Sequence, residues 1–175
     1  MASSRRLITS TTLSTSAASV TFSSIPSTYT DLVLRYSHRD SGAGTFSGSV
    51  YVRLNGDTSS STSYSATRID GNGATASSSR YNGLSFWATS DGQGSTSTAN
   101  TFSNVELYIP NYTSTTNKPA GVFAVNETNA TTAYVMARAF LYSTSSAITS
   151  IDLTRSTGDN FVSGSTFYLY GIKNS

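Results

Sequence analysis

The chain has 175 residues and a net charge of +2, with 11 basic and nine acidic residues, one histidine and no cysteine. That length suits one domain with a real core, and the lack of cysteine excludes disulfides and thiolate metal sites. Charged residues make up 11%, against roughly a quarter in ordinary domains, and the basic ones are scattered singly apart from Arg5-Arg6. No stripe follows a phosphate backbone, so no nucleic acid partner is expected, and no apolar run approaches the roughly 18 residues of a membrane span.

About a third of the residues are Ser or Thr, which alone could mean disorder. The 11 Tyr, eight Phe and one Trp fall in alternating runs, however, and indicate a folded β-protein with a neutral, hydroxyl-covered surface. Nine of the 11 basic residues are Arg, which favours fixed bidentate contacts at interfaces. At the N-terminus the two arginines precede no apolar segment, so no secretory signal is read there.

In chain order, residues 6–10 and 18–22 are short strand candidates. Residues 30–39 alternate clearly, with Leu32, Leu34 and Tyr36 on one face and Arg35 and Ser37 on the other. Residues 49–55 set Val50, Val52 and Leu54 against Tyr51 and Arg53, then enter Asn55-Gly56-Asp57, a turn whose first two residues accept positive φ. Residues 80–89 hold Leu84, Phe86 and the single Trp87, and residues 102–109 place Val105, Leu107 and Ile109 in register. Residues 133–143 are apolar on both faces, the pattern of a central strand covered on both sides. Residues 148–154 and 166–172 complete the set. In the last of these Phe167 and Leu169 oppose Tyr168, Tyr170 and Ile172, which implies that the chain end is built into a sheet.

Polar connections rich in Gly, Ser, Asn and Asp are expected over residues 41–48, 58–79, 90–101 and 111–119. The expectation is an all-β antiparallel β-sandwich of about eight strands, jelly-roll-like because some connections are too long for a meander. Residues 17–175 form the sandwich domain. Residues 1–16, dense in Ser and Thr, read as an N-terminal arm.

Reactive chemistry is sparse. His38 lies beside Arg39 and Asp40 near a strand end, but no G-x-S-x-G elbow accompanies it, and it reads as a polar strand-end residue. The seven Asp and two Glu fall mostly where turns are expected, as with Asp57, Asp70, Asp91 and Asp159, and not as a glycosidase pair. Asp70-Gly71-Asn72-Gly73 lacks the further acidic ligands of a calcium loop and reads as a turn. Sequons at Asn111, Asn126 and Asn129 are what chance supplies in so Ser/Thr-rich a chain. No metal, cofactor or catalytic residue is expected. Trp87, with Tyr81 and Phe86, could form an aromatic platform for a sugar.

Four segments together resemble a group of small virion proteins of tailed bacteriophages: FSSIPSTYTDLVLRYSHR from Phe22, VRLNGDTSSSTSYSATRIDGNG from Val52, IPNYTSTTNKPA from Ile109, and the terminal DNFVSGSTFYLYGIK from Asp159. The resemblance implies a structural component of a phage particle with a jelly-roll-like domain and no catalytic residues. A compact domain with no fibre shaft then suits a decoration (cement) protein on the outer surface of the head. It would bridge neighbouring major capsid protein subunits as a homo-oligomer, a trimer at a local three-fold axis. The alternative is a tail-tip or fibre protein that recognises host surface glycans. Contacts would involve Arg5 and Arg6 of the arm and exposed aromatics, Trp87 and Tyr112.

Overall fold

A computed structural model describes residues 4–59, 63–128, 133–156 and 158–173. The described residues form twelve strands and no helix: β1 (Ser4–Thr12), β2 (Ser19–Phe22), β3 (Asp31–His38), β4 (Phe46–Leu54), β5 (Tyr64–Gly71), β6 (Ala76–Leu84), β7 (Trp87–Gln93), β8 (Ser103–Ile109), β9 (Lys118–Asn126), β10 (Tyr134–Tyr142), β11 (Ile151–Arg155) and β12 (Thr166–Lys173). Every pairing between these strands is antiparallel. One sheet has eight strands in the order β1-β12-β3-β8-β9-β10-β5-β6, and the other has four, β2-β11-β4-β7. From β2 onward the chain keeps crossing between the sheets, the wrapping expected of a jelly-roll-like sandwich.

The alternation read in the sequence decides which side chains the two sheets enclose. Leu32, Leu34 and Tyr36 of β3, Val50, Val52 and Leu54 of β4, Leu107 of β8 and Phe167 and Leu169 of β12 are all buried between them. Trp87 anchors one end, stacked on Phe140 with ring centres 5.2 Å apart. Its indole N–H donates to the Leu141 carbonyl at 3.2 Å. Tyr36, Phe167 and Phe161 pack together at the other end, with centroid separations of 5.7 and 5.1 Å.

The strand count exceeds the expected eight, and the differences have local causes. β5 and the first four residues of β6 occupy the region read as a connection, residues 58–79. Every residue of β6 is exposed or half-buried, so its sequence carries no alternation, and its pairing with β5 is what makes it a strand. β9 was not foreseen because Pro119 and Gly121 interrupt its apolar run. Pro119 sits one residue from the strand start, where the missing N–H is best tolerated. The single strand read over residues 80–89 is two, β6 and β7, separated at Ser85 and Phe86.

Residues 4–12 form β1, which pairs with β12 from Ser4↔Lys173 to Thr12↔Thr166 with a register shift between Leu7 and Thr9. The terminal strand is therefore not an edge. β1 covers hydrogen-bonding groups on β12 that would otherwise template another chain. At Gly171 an added Cβ would lie 2.2 Å from the Tyr29 ring, so only glycine lets Tyr29 close over that strand.

Candidate functional site

Two surfaces stand out, and both follow from sheet geometry. The first is the outer face of the eight-stranded sheet, which no second layer covers among the described residues. Five of the large exposed apolar side chains lie on it: Leu7, Ile69, Tyr108, Phe123 and Val135. Strand register sets Phe123 beside Ala137 and Ala137 beside Ile69, with Val135 one position along the same face. Two shallow depressions of about 410 and 480 Å³ flank Phe123. Gly121 forms a dip between Tyr108 and Ala139, open enough that a Cβ there would meet nothing within 4 Å.

This face carries charge of both signs, and at its β3 end the Asp31 carboxylate accepts from the Tyr108 hydroxyl at 2.8 Å. Arg35 pairs with Glu106 at 2.9 Å and Arg5 approaches the same carboxylate at 3.6 Å, while Arg80 stands exposed at the β6 edge, bonded to Thr67. The sequence held a signal for this surface in the two-faced apolar pattern of residues 133–143. That pattern was read as a strand covered on both sides. β10 is an interior strand, but only Met136, Arg138, Phe140 and Tyr142 are buried, and Val135, Ala137 and Ala139 face outward.

The second surface is a cleft created by unequal sheet widths. β5 and β6 extend past the edge strand β7, leaving part of their inner face without a partner sheet. Ala66, Arg68, Tyr81 and Leu84 of the overhang meet Ser49, Tyr51 and Ala88 of the smaller sheet and Phe86 of the β6–β7 link around a hollow of about 240 Å³. Tyr51 and Phe86 stack with ring centres 3.5 Å apart. The Arg68 guanidinium lies 5.3 Å from the Tyr81 ring centre. Beyond Arg68 the cleft turns polar, a hollow of about 300 Å³ bounded by Asp70, Asp91 and hydroxyl side chains. Asp70 is held by Arg68 at 3.3 Å and Arg138 at 3.4 Å, and Asp91 accepts from Ser49 Oγ at 2.7 Å. Asp70 and Asp91 were read as turn residues and are instead in β5 and β7.

The residues named from sequence are dispersed. Trp87 and Tyr112 are fully buried, which removes both as surface contacts. Trp87 belongs to the core, and Tyr112 donates its hydroxyl to the Pro26 carbonyl. Tyr81 and Phe86, proposed beside Trp87, do meet in the cleft; alternation turns Phe86 outward and Trp87 inward. Arg5 and Arg6 are both exposed but occupy opposite faces of β1, Arg6 near Tyr29 and Lys173, so they form no joint basic site. Of the Asp70–Gly73 segment, Asp70 and Gly71 end β5, and Asn72 opens the hairpin turn to β6, its side-chain oxygen accepting from the Ala74 and Thr75 amides at 3.0 and 2.8 Å. The sequon at Asn129 and residues 1–3 of the arm lie outside the described residues.

His38 is the last residue of β3, as its strand-end reading has it, but solvent does not reach it. It is fully buried, with Nε2 3.1 Å from Ser90 Oγ, and its ring packs against Tyr36 and Phe161. Burial, with Arg155 adding repulsion, holds its pKa well below the ordinary 6.5. Within the pH window below 6.5 the unfolded chain therefore binds the proton that the fold refuses. Stability from neutral His38 is complete above that pH and is lost as pH falls, at up to about 1.4 kcal/mol per pH unit. Asp40, which burial raises, works in the opposite sense. In urea unfolding between pH 7.5 and 5.5, His38→Gln is expected to flatten the decline of the parent chain. Parallel curves would refute the assignment.

The geometry defines a class, an antiparallel β-sandwich presenting a flat apolar face and a separate aromatic cleft. No protein-family model, curated protein or solved structure matches the chain.

Proposed function

We propose that this chain is a structural protein of a tailed-phage particle, a decoration protein that binds the outside of the head and fastens neighbouring major capsid protein subunits. The observation that carries the reading is the outer face of the eight-stranded sheet. Monomeric soluble proteins rarely display contiguous apolar surface of this kind unless something docks on it, and Phe123, Ile69 and Val135 supply the unsatisfied apolar centre. The segment resemblance supports a virion protein. Arg5, Arg35 and Arg80 against Glu106 and the buried Asp31 leave a small positive excess, which suits an acidic, apolar-centred capsid surface. A trimer would multiply weak individual contacts through avidity.

The alternative of a tail-tip glycan receptor loses Trp87 and Tyr112 as exposed contacts, since both are buried.

The test is co-sedimentation of the purified protein with heads stripped of it, together with a reconstruction of the intact particle. Phe123→Glu, at a side chain 56% exposed, should leave the fold intact and weaken head binding roughly 30-fold, as expected for a central anchor. Undiminished binding, or density on the tail alone, would rule the proposal out.

A further inference from the structure

The overhang cleft lies apart from the docking face and carries a second reading. Its two halves differ in chemistry and share Arg68. One half offers aromatic surface: the Tyr51–Phe86 stack on one wall and Tyr81, 39% exposed, on the other. The other half offers fixed polar groups. Asp70 is locked by two arginines, with the Arg138 Nη2 3.4 Å from both of its oxygens, and Asp91 is locked by Ser49. Together the hollows fall within the roughly 300–1,000 Å³ of small-ligand sites.

Charge decides between ligand classes. Two carboxylates face two guanidiniums, so an anion meets Asp70 and Asp91 and an amine meets Arg68 and Arg138. A neutral ligand with one apolar face and several hydroxyls meets neither penalty. Its C–H face lies on an aromatic ring, its hydroxyls donate to the carboxylates, and its oxygens accept from Arg68. Because the acceptors are held in place beforehand, little ordering opposes binding. We propose that the cleft between the β5–β6 overhang and the β4–β7 edge binds a neutral sugar unit of a glycan, stacked on Tyr81 and the Tyr51–Phe86 pair and hydrogen-bonded through Asp70, Asp91 and Arg68. This goes beyond the capsid-docking role and does not require it.

The test uses the full chain on an array of neutral, sialylated and uronic-acid glycans. Saturation-transfer NMR with glucose, galactose and N-acetylglucosamine maps the bound face. Binding to neutral glycans is expected, reduced at least tenfold by Tyr81→Ala and retained by Phe123→Glu. Should Tyr81→Ala fail to fold, Ser77→Arg, at an exposed β6 position, fills the polar hollow and should block binding alike. No binding to any neutral glycan, binding confined to acidic glycans, or affinity unchanged by these substitutions overturns the proposal.

Discussion

Leu169→Asp, or Phe167→Asp, should leave the chain unfolded at room temperature. Both side chains are fully buried in β12, which lies between β1 and β3. Losing either apolar side chain removes about 2–3 kcal/mol of burial. The carboxylate would then sit opposite Leu34 or Tyr36, where burying an unpaired charge costs several kcal/mol more. The sum is comparable with the whole stability of a typical domain, roughly 5–15 kcal/mol. Tyr168→Asp is the control, since Tyr168 is half-buried on the outer face and its substitution should keep the fold. Circular dichroism with a urea titration distinguishes the two, and a folded Leu169→Asp would refute the buried-strand account.

The second large effect is expected at Arg155. Its guanidinium is fully buried and lies 2.8 Å from Asp40 Oδ2. It also donates to the Ser47 and Gly48 carbonyls, the latter at 2.7 Å, and covers the Phe161 ring. The contact with Oδ2 is one of charge without hydrogen-bond alignment. Burial raises the Asp40 carboxyl and lowers the Arg155 guanidinium, in each case against the pull of the partner. Desolvation thus outweighs mutual attraction for both. Arg155→Met should cost about 3–5 kcal/mol by stranding the Asp40 charge. The double variant Asp40→Asn, Arg155→Met should recover more than half of that, because it removes the stranded charge as well. A double variant no more stable than Arg155→Met would show that the loss comes from packing and not from charge. Gly92 belongs to the same unit, since a Cβ there would stand 1.8 Å from Asp40 Oδ2.

Strand alternation was legible wherever one face meets the core and the other meets solvent, as in β3, β4, β8 and β12. It was not legible in β6, where neither face is buried, or in β9, where Pro119 and Gly121 mask the run. The same limit applies to the sites. Residues 133–143 advertised two apolar faces, but a one-dimensional pattern cannot distinguish an inner second layer from an open surface awaiting a partner. Tyr81 and Phe86 were visible as aromatics. The neighbouring Trp87 was grouped with them because adjacency in sequence conceals the alternation that sends it the other way.

Composition and periodicity therefore sufficed for the class of fold, because side-chain burial in a strand repeats every two residues and survives in the sequence. The number of strands in each sheet depended on pairing between segments far apart in the chain. That number let β5 and β6 overhang β7. The cleft arises from this mismatch of eight strands against four, and the apolar face from the two-layer packing that leaves the outer side of the larger sheet uncovered. Backbone hydrogen bonding between strands is nearly indifferent to side-chain identity, so no local run of residues could have announced it.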